Sequence, residues 1–327
     1  MNLKLTKTNN PKTVPDEGAL QFGETFTDYM LLVDWTEEGG WQNARITPFE
    51  NLSLHPAAGV LHCGAGVFEE LKAYRRADGG VRFFRPMEHI RKMLREADSL
   101  KLPQIYDRDL LQMIASFVRV EERWIPKAVG AALYLRLMLI STDGRLGNYP
   151  ARSATFAVFA SPVGNAYTEG LAPATVKVNI GAGVMDNEGK TLVLDSVYRK
   201  YIEQVGATSV IFKINGRIVI PALTGASLPS VTRKSCIEIL RYLGYAVAER
   251  RVSIDEIITA IKENTLEEAW GCSAETIFPI GMLTIGEEEY PINGGNTGEV
   301  AEELYELLTG IQWGTKEDTF NWSYKVC

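Results

Sequence analysis

The sequence predicts an α+β chain of two domains, the second richer in strands than the first. Three observations carry this. Strand-like and helix-like periodicities alternate through the first half. Glycine, proline and polar residues then concentrate in "GNAYTEGLAPA", Gly164–Ala174, and strand patterns dominate beyond it. No G-x-G-x-x-G follows a strand and no P-loop occurs, so a doubly wound nucleotide-binding sheet is not expected. The 327 residues suit two domains at roughly 150 residues each. The expected division is 1–165, a linker at 166–174, and 175–327.

Each element has its own local signal. "DYMLLVDW", Asp28–Trp35, is an apolar strand run. "LKAYRRADGGVRFF", Leu71–Phe84, reads as two strands joined at Asp78-Gly79. In the helix that follows, Pro86 suits the first turn, and Ile90, Met93, Leu94, Ala97 and Leu100 share a face. A second helix is expected over Leu110–Glu122, then long strands over Gly130–Ile140 and Ser153–Val163. In the second half, "ATVKVNI", "TLVLDS" and "SVIFKINGRIVI" are strands. Asn215-Gly216 predicts a tight hairpin because both turn positions need positive φ. Gly244 is placed to end the helix "VTRKSCIEILRYLG", and Ser253 with Glu256 forms a capping box for the next one. "GEVAEELYELLTGIQ" is a further amphipathic helix.

Composition narrows the function classes. Hydrophobic residues make up 46% and charged residues 23%, enough apolar material for a sizeable core. The net charge of −7, with no basic run, argues against a nucleic-acid partner. The N-terminus lacks the apolar core of a signal peptide, and no segment reaches the length of a membrane span. Cys63, Cys236, Cys272 and Cys327 show no C-x-x-C spacing, and three histidines are scattered, so no metal site is expected. Unpatterned cysteines fit a reducing cytoplasm.

Several segments occur together in one order: "LHCGAGVFEELKAYRRADGGVRFFRPMEHIRKMLREADSLKLP", "LYLR", "YIEQVGATSVIF", "LTGASLPSVTRKS" and "LTGIQWGTKEDTFNW". With "FGETFTDYMLLVDWTEEGGWQNARITPF" near the start, they resemble the branched-chain amino-acid aminotransferases over nearly the whole length. That family has fold type IV of the pyridoxal-phosphate enzymes. The resemblance implies a small N-terminal α/β domain, a larger β-rich domain, a cofactor in the cleft between them, and a homodimer. It also implies a lysine that links to the cofactor and moves the substrate's α-proton, a carboxylate beside the pyridine nitrogen, and an arginine with backbone or threonine donors on the phosphate. A Tyr-x-Arg strand for the substrate carboxylate and a pocket tyrosine complete the set.

Residue by residue, the match is uneven. Arg85 in "FFRP" matches the phosphate-binding arginine, Tyr134 and Arg136 in "LYLR" the carboxylate-binding pair, and Phe68 a pocket aromatic. Cys63 stands where the pocket tyrosine is expected, and Glu70 replaces the glycine of F-E-G. In the second half, "GAGVMDNEGK" runs straight into "TLVLD", leaving no counterpart of the lysine segment and its helix. Gln204 replaces the carboxylate, Ser230 a glycine of the phosphate turn, and "CSAE", Cys272–Glu275, a later Gly-Thr-Ala.

From these departures the sequence predicts no bound cofactor. The expected protein is a repurposed, cofactor-independent enzyme acting on a small carboxylate-bearing metabolite in biosynthesis. Arg85, Arg136, Phe68 and Gln204 would bind the anion, with Cys63, Glu70 and Tyr134 available for acid–base or covalent work. Two alternatives stand beside this reading. One is a non-catalytic member that binds a ligand or pairs with an active paralogue. The other is an active transaminase holding pyridoxal phosphate, non-covalently or through a relocated Lys190.

Overall fold

The computed structural model describes residues 2–165, 171–178, 190–224, 230–273 and 276–327. Most of the "GAGVMDNEGK" stretch, part of the expected linker, Leu228-Pro229 of the phosphate turn, and Ala274-Glu275 lie outside the described residues. The chain forms two compact units, residues 1–166 with 311–327, and residues 167–310. The C-terminal segment, expected in the second domain, therefore joins the first, because its strand pairs there.

In chain order the first unit holds β1 (Lys4–Leu5), β2 (Tyr29–Thr36), β3 (Gly40–Pro48), α1 (Gly59–His62), β4 (Gly66–Arg75), β5 (Val81–Phe84), α2 (Pro86–Ser99), α3 (Asp107–Val120), β6 (Ala132–Ser141) and β7 (Ser153–Val163). The second holds β8 (Ala174–Val178), β9 (Thr191–Leu194), β10 (Ile202–Val205), β11 (Ser209–Ile214), β12 (Arg217–Pro221), α4 (Val231–Tyr242), β13 (Val247–Arg250), α5 (Ile254–Lys262), β14 (Leu266–Cys272), β15 (Ile277–Ile285) and β16 (Glu288–Pro291). Helix α6 (Glu299–Trp313) follows, and β17 (Ser323–Lys325) returns to the first unit.

The first unit's sheet runs β1-β3-β2-β7-β6-β4-β5-β17. Alternation assigns its two faces. Val67, Leu71 and Ala73 of β4, Leu133, Leu135, Leu137 and Leu139 of β6, and Phe156 and Val158 of β7 point into one core with Ile90 and Met93 of α2 and Leu110, Ile114 and Phe117 of α3. Even-numbered residues of β4 and β6 thus face the other side. Leu100, expected on the buried face of α2, is its exposed C-cap instead, since the chain turns there. The second sheet runs β10-β9-β8-β15-β14-β11-β12-β13, with β16 beside β15. Its core gathers Val176, Leu192, Val205, Phe212, Ile257, Ile280 and Leu283.

Local signals are realised where expected. Asn215 and Gly216 have φ of 49° and 68°, the hairpin turn of β11–β12. Gly244 has φ 87°, and Tyr245 N–H donates to Leu240 O past the end of α4. Ser253 Oγ accepts from Glu256 N–H at 3.1 Å, capping α5.

Candidate active site

Four of the expected residues meet on the face of the first sheet opposite α2 and α3. Glu70 of β4 lies directly opposite Arg136 of β6 in register, and Lys72 opposite Tyr134. The Arg136 guanidinium is 3.2 Å from the Glu70 carboxylate. It also sits 4.5 Å from the Phe68 ring centroid and 5.4 Å from that of Tyr134. Arg136 is thus a cation held between two aromatic faces, which attract it through their ring quadrupoles. The pair is a third or less exposed, 23% for Arg136 and 30% for Glu70.

An apolar wall adjoins this cation. Arg136 is in register with Phe159 of β7, and Phe68 with Met138 of β6. Met30, Leu32 and Ala157 form a small buried cluster with Phe49, Met138 and Phe159 around it. Phe26 stacks on Phe49 at 5.0 Å. Phe22 meets Tyr134 edge-on at 5.0 Å. Both phenylalanines belong to the N-terminal segment, which sequence reasoning did not assign to the site. Its anchors are specific: Asp28 accepts from Lys12 N–H, Arg123 and Trp124, and Glu17 accepts from Lys127 N–H and Ala128 N–H. In the sequence both lie in "FGETFTDY", the start of a segment that carries the resemblance but singles out neither of them.

Arg85 lies elsewhere in the unit, between β5 and α2. It caps α2 with φ 45°, a left-handed conformation costly for a side-chain-bearing residue. Its guanidinium stacks 4.5 Å over Trp322, its N–H donates to Trp322 O, and Glu88 is 3.8 Å away. Arg85 is buried. Trp322 went unassigned in the sequence because its closeness to Arg85 depends on the β17–β5 pairing.

Cys63 is separate again. It ends α1, is exposed, and its Sγ donates to Gly147 O at 3.4 Å. It is therefore not a buried apolar residue.

Gln204 and Lys190 belong to the second unit. Gln204 of β10 is in register with Val193 of β9, and its side-chain amide donates to Gly206 O at 2.7 Å. Lys190 immediately precedes β9 and is exposed, and its carbonyl accepts from Lys177 N–H. Ser230, standing for a glycine, is the N-cap of α4, and its Oγ accepts from Arg233 N–H at 2.9 Å. Among the described residues no cluster of three or more His, Cys, Asp or Glu could hold a metal, and no helix is long and apolar enough to cross a membrane.

No family model matches the chain. Individual relatives do. The chain is 38% identical to the branched-chain-amino-acid aminotransferase 2 of Bacillus subtilis (strain 168), covering all of this chain and 97% of that protein. It is 37% identical to the branched-chain-amino-acid transaminase 1 of the same organism, covering 98% of each. The first alignment extends over 353 positions, more than the 327 residues here, so the relative carries residues that this chain lacks. Among solved structures, the T.th. branched-chain amino acid aminotransferase with pyridoxamine 5'-phosphate superposes with a TM-score of 0.71 at 23% identity, covering 90% of this chain and 98% of that one. The Thermoproteus uzoniensis branched-chain aminotransferase with norvaline gives 0.72 at 18%, covering 91% and 100%.

These findings overturn the expectation of a cofactor-free protein. Full-length relatives are aminotransferases, and the same fold is solved with a pyridoxal-phosphate derivative in place. The described residues fit such a group chemically. Each unit by itself holds an element suited to an anion: the buried Arg85 guanidinium in the first, and in the second the N-terminus of α4, where the helix dipole favours negative charge. Gln204, where the resemblance expects a carboxylate, spends its amide on Gly206 O. With near-complete coverage at 37–38% identity and the matching fold, the chain belongs to the branched-chain amino-acid aminotransferase family.

Proposed function

We propose that the protein is a pyridoxal-phosphate-dependent aminotransferase of branched-chain amino acids, with Lys190 as its reactive amine. The full-length identity to the two Bacillus subtilis enzymes carries this reading. The first unit's geometry supports the substrate class. A carboxylate binds the Arg136 guanidinium, and a short branched tail lies on the apolar surface of Met138, Phe159 and Phe22. Phe68 and Tyr134 hold the guanidinium in place from either side.

Arg85 and the α4 N-terminus are the candidate phosphate contacts, and Gln204 the candidate neighbour of the ring nitrogen. Pyridoxal phosphate, when bound, supplies the carbonyl that takes up the amino group and a ring that spreads charge from the substrate's α-carbon. The Lys190 amine would take the proton from that α-carbon and deliver it to the carbon that has received the amino group. The same reading makes the protein a cytoplasmic homodimer. Leu61, Leu146 and Tyr149, all exposed apolar residues, are surface available for a second copy.

The test is borohydride reduction of protein loaded with pyridoxal phosphate, followed by peptide mass spectrometry. A pyridoxyl group on Lys190, lost in Lys190→Ala together with amino transfer from leucine to a 2-oxo acid, is the expected result. A pyridoxyl group on another lysine, or on none, overturns the assignment.

A further inference from the structure

Cys236 and Cys272 take no part in the contacts above, and both lie in the second unit. Cys236 projects from α4 and is 0% exposed; Cys272 ends β14 and is 1% exposed. Their sulfurs are 3.7 Å apart. Burial, with Cys272 alongside, pushes the Cys236 thiol well above its ordinary value.

The backbone around them is well braced. Cys272 is in register with Ser209 of β11 on one side and Ile277 of β15 on the other, so β14 is an interior strand at this point. Helix α4 is capped by Ser230 at its start and closed by Gly244 after its end. A disulfide needs the sulfurs at about 2.05 Å. Closing the gap moves each sulfur by about 0.8 Å, a turn of about 30° at each χ1, which costs little rotamer strain.

We propose that Cys236 and Cys272 are a dithiol–disulfide pair that, when oxidised, staples α4 to β14. The reaction balances with a two-electron oxidant. Both S–H bonds break, one S–S bond forms, and two protons and two electrons leave. A hydrogen peroxide molecule becomes two waters, or a diazene such as diamide becomes the hydrazine. The reduced pair is the resting form in a reducing compartment. Neither sulfur is exposed to solvent, so oxidation proceeds through molecules in which the α4–β14 contact has opened.

The staple closes the chain between positions 36 residues apart. Removing that much freedom from the unfolded chain shifts the unfolding equilibrium by roughly 10²–10³-fold. It would also fasten the helix that starts at Ser230 to the strand that ends beside Ser273. The pair therefore bears on the candidate phosphate element without depending on the proposed reaction.

The unaltered full chain is treated with diamide, its remaining thiols are alkylated under denaturing conditions, and a non-reducing digest is mapped by mass spectrometry. The expected product is a peptide pair joined through Cys236 and Cys272, released by reductant. Urea titration of oxidised against reduced protein is expected to show a folding constant larger by roughly 10²- to 10³-fold, a difference abolished in Cys272→Ala. Exhaustive oxidation that leaves both residues as free thiols, or carries them to separate adducts, overturns the proposal. So does a cross-link that forms without any change in the unfolding equilibrium.

Discussion

In the proposed site Glu70 sits on the cation that a substrate carboxylate would need, so replacing it with glutamine is expected to strengthen carboxylate binding. The magnitude follows from the geometry. At 3.2 Å and an effective dielectric of about 40–80, the Glu70–Arg136 attraction is roughly 1.3–2.6 kcal/mol. Side-chain entropy and solvent reduce the net worth of such a partly exposed pair to about 1 kcal/mol or less. An incoming carboxylate also meets direct repulsion from Glu70, on the order of another 1 kcal/mol at about 4 Å in water. Together, Glu70→Gln gives a gain of about 1–2 kcal/mol, or roughly 5- to 30-fold in affinity. The assay is calorimetric titration with 4-methylvaleric acid, a ligand solved in the T.th. enzyme, at low and high salt. Glutamine keeps the side-chain volume, so β4 packing is preserved. The gain should shrink as salt rises, and Arg136→Ala should abolish binding in both backgrounds. An affinity unchanged within about twofold in Glu70→Gln refutes the competition argument.

Burial pushes the Glu121 carboxyl up from 4.5 to about 7, while Thr27 and the Tyr29 N–H partly offset this and Asp28 adds to it. The folded state therefore binds more protons than the unfolded one between about pH 4.5 and 7. Stability is full below that window and falls by about 3 kcal/mol as pH rises through it. Denaturant titrations from about pH 4 to 8 should show this loss in the wild type relative to Glu121→Gln; parallel profiles for the two proteins rule it out. In solution, light scattering at low micromolar concentration should give a mass near twice the chain's 36.3 kDa; a monomer alone contradicts the homodimer.

What the sequence made legible was local. Asn215-Gly216, Gly244 and the Ser253–Glu256 cap depend on residues a few positions apart, and their geometry follows from backbone sterics and nearby donors. Tyr134, Arg136 and Phe68 were singled out by the resemblance, and the β4–β6 pairing brings the three side chains together. What Glu70 does there was not, because the ion pair exists only through the β4–β6 register. Phe22 and Trp322 escaped for the same reason: each reaches its partner through contacts distant in sequence. The cofactor expectation failed differently. Substitutions were read as the loss of a function, whereas the full-length relatives are aminotransferases and the same fold is solved with pyridoxamine 5'-phosphate.

Strand β17 gives the first unit an unusual timetable. Val81 exchanges hydrogen bonds with Val326 and Cys327 at the very end of the chain, Arg119 donates to Val326 O, and Trp322 covers both Phe84 and Arg85. During synthesis, residues 1–166 emerge first, yet this sheet cannot close until residues 311–327 leave the ribosome. At roughly 5–20 residues per second, β5 waits as an open edge for some 7–30 s while the second unit is made. Arg82, within that strand, is a charged residue of the kind that discourages edge-to-edge pairing. The unit begun first is thus the last to be completed, and a premature stop between residues 166 and 322 leaves its sheet with an uncovered border.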